Sequence, residues 1–99
     1  MKTLHIVNRS PEHPSTMARC LRFSSKNDSL LLIEDGVYFA LASTLSKIKQ
    51  SLDALNISLY ALEEDLIARG IQADKSIQTV SYDGFVKLTA THSKSSSWY

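Results

Sequence analysis

A chain of 99 residues buries only roughly two-thirds of the surface it exposes when unfolded, enough for one core and a single domain over 1–99. Apolar residues at 43% and charged residues at 21% exclude a disordered or fibrous chain, and a net charge of +1 leaves no basic stripe for a phosphate backbone. The one cysteine, Cys20, excludes an intrachain disulfide and a multi-thiolate zinc site.

Thr3 to Val7 reads as a first strand: Leu4, Ile6 and Val7 are apolar, and the polar cluster Asn8-Arg9-Ser10-Pro11 follows. The run is too short, and broken by His5, to be a signal-peptide core, and no segment reaches the ~18 apolar residues of a membrane span. A cytoplasmic protein with no direct hold on nucleic acid or membrane is therefore expected. Pro11 and Pro14 suit a first helical turn, where a missing N–H costs nothing, so a helix begins between Pro11 and Ser15 and runs to about Ser24. Met17, Cys20, Leu21 and Ser24 share its apolar stripe with Phe23 beside it, while Arg19, Arg22 and Lys26 lie toward water.

Leu30 to Ile33 is an apolar run without alternation, bounded by Asn27-Asp28 and Glu34-Asp35-Gly36, the pattern of a parallel strand covered on both faces. Two readings stand after it. Asp35-Gly36 is a type I′ hairpin signal with Val37-Tyr38-Phe39 returning as a strand, or Val37, Ala40 and Leu41 open a helix, which their spacing and the alanine content favour. Ile48, Leu52 and Leu55 place another helical piece over Lys47 to Leu55, capped by Ser43-Thr44 or Ser46.

Ile57 to Leu62 has a mixed pattern that favours a strand. Glu63-Glu64-Asp65 then set three carboxylates at the positive end of a short helix that runs to Arg69, and Gly70 ends it in the left-handed conformation. Ile77 to Ser81 is a fourth strand, less apolar and so nearer an edge, and Phe85, Leu88, Thr89 and His92 define a last helix after Asp83-Gly84. The tail at about 93–99 is polar and flexible by composition, yet it ends in Trp98-Tyr99.

Strands alternating with helices imply right-handed crossovers and a small doubly wound α/β domain, its mainly parallel sheet holding four strands, or five, with helices on both faces. In such sheets function gathers in the loops at the carboxyl ends of the strands: Asn8 to Pro11, Glu34 to Gly36, Glu63 to Asp65 and Tyr82 to Gly84. Their carboxylates, with Arg9 nearby, look like a magnesium or phosphoryl-transfer rim, but there is no GxGxxG and no GxxxxGK[ST], and the same carboxylates serve as helix caps. His5, His13 and His92 lack metal-ligand spacing, so neither metal nor other cofactor is expected. No GxSxG accompanies the serines. Cys20 has two readings. A thiolate passes on sulfur as a persulfide when its pKa is lowered, whereas a mid-helix cysteine beside Met17 and Leu21 is more often a small inert hydrophobe.

Leu4 to Pro11 (LHIVNRSP), Leu30 to Leu41 (LLLIEDGVYFAL), Leu59 to Gly70 (LYALEEDLIARG), Tyr82 to Thr89 (YDGFVKLT) and the tail Trp98 together resemble the DsrH/TusB family of sulfur-relay proteins, in family order and spacing over most of the chain. The resemblance implies a DsrE-like fold and a heterohexamer of two copies each of three related small subunits. In the tRNA branch that complex takes persulfide sulfur from an upstream carrier and hands it through a further carrier to the enzyme that thiolates position 2 of the wobble uridine. In the sulfur-oxidising branch a similar complex works in sulfur trafficking. The sulfur-bearing thiol of the family belongs to a sister subunit, at a position this chain does not match with a cysteine. Some DsrH-type members carry a cysteine where Cys20 stands, which keeps Cys20 as a secondary carrier candidate. A non-catalytic assembly subunit is thus the leading expectation, a persulfide carrier on Cys20 the alternative, and a homo-oligomeric interaction protein a third. Trp98, Tyr99, Arg9 and Asp35 are the interface candidates. Trp98 either packs into a neighbouring subunit, as terminal aromatics do at interfaces, or folds back on its own last helix.

Overall fold

Leu4 to Val7 are all buried, so a strand this apolar on both faces must lie inside a sheet with cover above and below. The computed structural model describes residues 2–99 and places that strand, β1 (Thr3–Val7), between two neighbours. The other strands are β2 (Ser29–Leu32), β3 (Ser58–Leu62), β4 (Gln78–Val80) and β5 (Lys94–Trp98). The sheet order is β4-β3-β2-β1-β5, and every pair is parallel.

From β1 to β4 the chain steps always in one direction, so right-handed crossovers put the intervening helices on one face. These are α1 (Pro14–Phe23), a 3₁₀ helix (Glu34–Ala40), α2 (Ala42–Leu45), α3 (Lys49–Ala54) and α4 (Glu63–Ala68). The return from β4 to β5 spans the whole sheet and lays α5 (Tyr82–Thr91) on the other face. Two cores result. Val7, Leu30, Leu32 and Ala61 meet Met17, Cys20, Val37, Leu52 and Leu66 on the first face. Leu4, Ile6 and Leu31 meet Phe85 and Leu88 on the second.

After β2 the chain forms a helix rather than a hairpin, but it is 3₁₀ and not α. Gly36 packs so close to the end of β1 that a Cβ there would lie 2.2 Å from the Val7 carbonyl oxygen, and the same oxygen accepts the Ile33 N–H at 3.0 Å. Leu41, extended at φ −72°, ψ 142°, stops that helix. The piece expected over Lys47 to Leu55 is α3, with α2 a separate turn before it, and Ser43, Thr44 and Ser46 do not cap α3 through their side chains. Thr44 Oγ1 donates back to the Tyr38 carbonyl at 2.6 Å, and Ser46 Oγ donates to the Ser43 carbonyl at 2.9 Å. The helix opening at Glu63 ends as expected, with Gly70 at φ +63° and the Ile71 N–H returning to the Leu66 carbonyl at 2.9 Å. The last helix starts earlier than Asp83-Gly84, because Ser81 Oγ accepts the Gly84 N–H at 3.3 Å and caps it.

The tail expected to be flexible is corrected by β5. Its serines supply no apolar alternation, but the free edge of β1 supplies a full backbone ladder from Thr3↔Lys94 to Val7↔Trp98, and the Trp98 indole anchors the end.

Candidate functional site

Register makes the carboxyl ends of the strands level: Val7 stands opposite both Leu32 and Trp98, and Leu32 opposite Ala61. The loops after β1 and β2 therefore meet, and between them opens a groove of about 690 Å³. Arg9 and Asp35 both line it, with Asn8, His13, Tyr38 and Thr44. Two interface candidates are thus brought together, while Cys20, Trp98 and Tyr99 lie elsewhere. An Arg9 guanidinium N–H donates to His13 Nδ1 at 2.8 Å, and Asn8 Oδ1 is enclosed without a hydrogen-bond partner among the described residues. Ser10 Oγ accepts the Glu12 N–H at 3.3 Å. This rim offers cationic and polar recognition groups rather than an activated nucleophile with its base.

The carboxylates of the acidic turns do not cap their own helices; Asp35, Glu64 and Asp65 instead reach residues of neighbouring elements. Asp65 Oδ2 accepts the Glu34 N–H at 2.6 Å, and Glu64 Oε2 accepts the Tyr82 N–H at 3.2 Å. Arg69 Nε donates to Asp35 Oδ1 at 3.0 Å, and its Nη1 lies 3.7 Å from Asp65 Oδ1. The Glu34 contact helps hold a non-glycine residue at φ +49°, a conformation that costs on the order of 1 kcal/mol. The Arg69 to Asp35 pair adds little by itself, about 0–1 kcal/mol, since the Asp35 side chain is largely in water. The carboxylates therefore brace one strand-end loop against the next, which positions the groove.

Cys20 is fully buried on the inner side of α1. Burial pushes its thiol up to about 12; Ser24 opposes that push and the Asp28 carboxylate adds to it. A neutral, enclosed thiol is a poor nucleophile. In the native chain it should react with a soluble disulfide reagent at least about a hundredfold more slowly than in the urea-unfolded chain, as expected for a site reached only through opening of the fold. Stopped-flow absorbance measures this, and equal rates would contradict the burial.

Trp98 neither hangs free nor rests on the last helix. Its indole stacks on Phe23 of α1 with ring centres 5.8 Å apart, and its N–H donates to His5 Nδ1 at 3.0 Å. Because indole only donates, His5 carries its proton on Nε2, which lies 2.9 Å from Asp28 Oδ2. Asp28 is 2% exposed and also accepts the N–H groups of Thr3 at 3.0 Å and Ser25 at 2.8 Å. Burial alone would raise its carboxyl, but the Ser25, Thr3 and His5 hydrogen bonds together outweigh that and hold it below the usual carboxylate range. Tyr99 is exposed, and its carbonyl accepts from Arg19 at 2.9 Å. His92, expected on the last helix, follows it and links Leu88 to Ser29 Oγ.

Sequence reasoning missed the His5, Asp28 and Trp98 chain, whose members lie 23 and 93 positions from His5. The signal available was Asp28 set at the entry to β2, separated only by Ser29 from the apolar run that opens at Leu30. Among the described residues, no group of three or more His, Cys, Asp or Glu side chains is arranged to hold a metal ion, and no helix is long and apolar enough to cross a membrane.

A family model described as DsrH like protein matches residues 9–95. The chain is 41% identical over 97 residues to Protein TusB of Escherichia coli O139:H28, covering 96% of this chain and 99% of that one, and equally to Protein TusB of Shigella boydii serotype 18. Among solved structures, the YchN protein of E. coli superposes with a TM-score of 0.76 at 17% identity over 98% of this chain and 99% of that one. Protein Tm0979 of Thermotoga maritima superposes with a TM-score of 0.65 at 24% identity over 89% and 91%. At those identities the two structures establish the fold, which is DsrE-like.

Proposed function

The chain belongs to the DsrH-like family, and on that premise we propose that it is a non-catalytic subunit of a cytoplasmic sulfur-relay complex that supports 2-thiolation of the tRNA wobble uridine. In each relay step an acceptor thiolate attacks the outer sulfur of a donor persulfide, so that the acceptor gains that sulfur and the donor leaves as a thiolate. The observation that carries the non-catalytic reading is the burial of Cys20 with its raised thiol, since this chain then presents no thiolate for the attack. Its contribution is a braced surface. The groove carrying Arg9 and Asp35 suits polar side chains of a protein partner, and the near-neutral charge suits delivery of sulfur to proteins rather than a grip on tRNA. The tRNA branch is favoured over sulfur oxidation by the 41% identity to proteins named TusB.

Co-expression with the two related small α/β subunits tests this. The three chains should co-purify as a heterohexamer. After exposure to a persulfide donor, mass spectrometry should find added sulfur on a sister subunit and none on Cys20. Loss of the chain should lower wobble 2-thiouridine in bulk tRNA. Failure to co-purify would overturn the assembly role, and an adduct on Cys20 absent in Cys20→Ser would favour the carrier alternative.

A further inference from the structure

The edge strand β5 hydrogen-bonds only to β1, and among the described residues no main-chain hydrogen bond outside the sheet reaches Lys94 to Trp98. Its outer edge is a row of free amide and carbonyl groups, the feature that invites another strand. Proteins blunt such edges with short strands, proline, bulges or several charges. The opposite edge, β4, is three residues long. β5 has five residues in unbroken register, no proline, and Lys94 as its one charge.

The sequence of β5, Lys94-Ser95-Ser96-Ser97-Trp98, is complementary to itself when reversed. We infer that the outer edge of β5 pairs antiparallel with β5 of a second copy of this chain, about a two-fold axis at Ser96. In that register Lys94 lies opposite Trp98 of the other copy, Ser95 opposite Ser97, and Ser96 opposite itself. Residues directly opposite share a face, so the Lys94 ammonium meets the aromatic shelf of Trp98 and Phe23, the latter 65% exposed. A two-fold operation repeats that cation–π contact at both ends and closes the assembly at two copies. Lys94 forms no ion pair among the described residues, and the exposed, small Ser95 and Ser97 let the two backbones approach. A parallel partner would oppose Lys94 to Lys94 and lose both contacts. The pairing does not rest on the sulfur-relay reading, and neither conclusion falls with the other.

Sedimentation velocity on the purified chain alone should show a reversible monomer–dimer equilibrium. Lys94→Glu should weaken it about tenfold, the effect of losing two cation–π contacts. Oxidation of Ser96→Cys in a Cys20→Ala background should give a disulfide-linked dimer. Lys94→Cys should not link to itself, because the two Lys94 positions are four residues out of register, roughly 13 Å along the strand. Circular dichroism checks that each variant is folded. A chain that stays monomeric at 200 µM, a dimer indifferent to Lys94→Glu, or equal crosslinking at positions 94 and 96 would overturn the inference. So would an edge that only a sister subunit occupies.

Discussion

Gly36→Ala should lower the melting temperature by about 12–24 °C. The new Cβ would sit 2.2 Å from the Val7 carbonyl oxygen, 3.0 Å from the Val7 carbonyl carbon and 3.4 Å from Asn8 Cα. All three are backbone atoms and no rotamer change moves them, so either β1 or the 3₁₀ helix must retreat by more than an ångström. That retreat breaks the Ile33 N–H bond to the same carbonyl and opens the core beneath Val37. Overpacking of this kind costs ~3 kcal/mol at the upper end of its usual range, and a chain of this size loses about 4–8 °C per kcal/mol. Gly70→Ala is the matched control. Gly70 has φ +63° but open space around its Cβ position, so it should lose only the ~1–2 kcal/mol of a left-handed non-glycine residue. Thermal melts by circular dichroism compare the two, and a Gly36→Ala melt within 3 °C of wild type would refute the close approach.

The contrast between those glycines shows which parts of the fold were legible. Gly70 announced itself locally, since a glycine after Arg69 at the end of a helical stretch reads as a left-handed stop whatever surrounds it. Gly36 was visible only as half of an Asp-Gly signal, and its real constraint is a contact with Val7, 29 positions earlier in the chain. β2 was legible because burial on both faces writes an uninterrupted apolar run from Leu30 to Ile33, and β1 because Leu4, Ile6 and Val7 are apolar ahead of a polar loop. β5 was not, because an edge strand held by backbone bonds to β1 needs no apolar side chains until Trp98. The same division applies to the site. The acidic turns were correctly placed at strand ends, but their partners lie on adjacent turns, from Asp65 to Glu34 and from Glu64 to Tyr82, and no spacing rule reports a contact between separate loops. Cys20 was legible as a core residue from its stripe with Met17. The groove was half legible: Arg9 and Asp35 were singled out, whereas His13 and Tyr38 join them only through the level register of β1 and β2.

Asp28→Ala should be as damaging as the Gly36 change, by a different route. The carboxylate accepts the N–H groups of Thr3 and Ser25 and the Nε2–H of His5, so its removal strands three donors in a nearly closed site. At about 1–3 kcal/mol for each unsatisfied buried group, partly relieved by water entering the gap, a loss of ~3–5 kcal/mol is expected in urea unfolding. Because His5 in turn accepts from Trp98, β5 should loosen as well, and the Trp98 emission should shift to the red in the folded variant. The pH dependence follows from the lowered carboxyl. An unfolded aspartate titrates near ~3.9. The stabilisation is therefore complete above that value and is lost as pH falls through the lower folded one, with protons taken up on unfolding. From pH 5 down to pH 2 the wild-type chain should lose stability more steeply than Asp28→Asn, which has no carboxyl to protonate at that position. Asp74, held low by Ser76, titrates alike in both chains and cancels from the difference. Parallel stability curves for the two proteins would show that Asp28 is not held ionised by its neighbours, and the His5 tautomer that links it to β5 would fall with it.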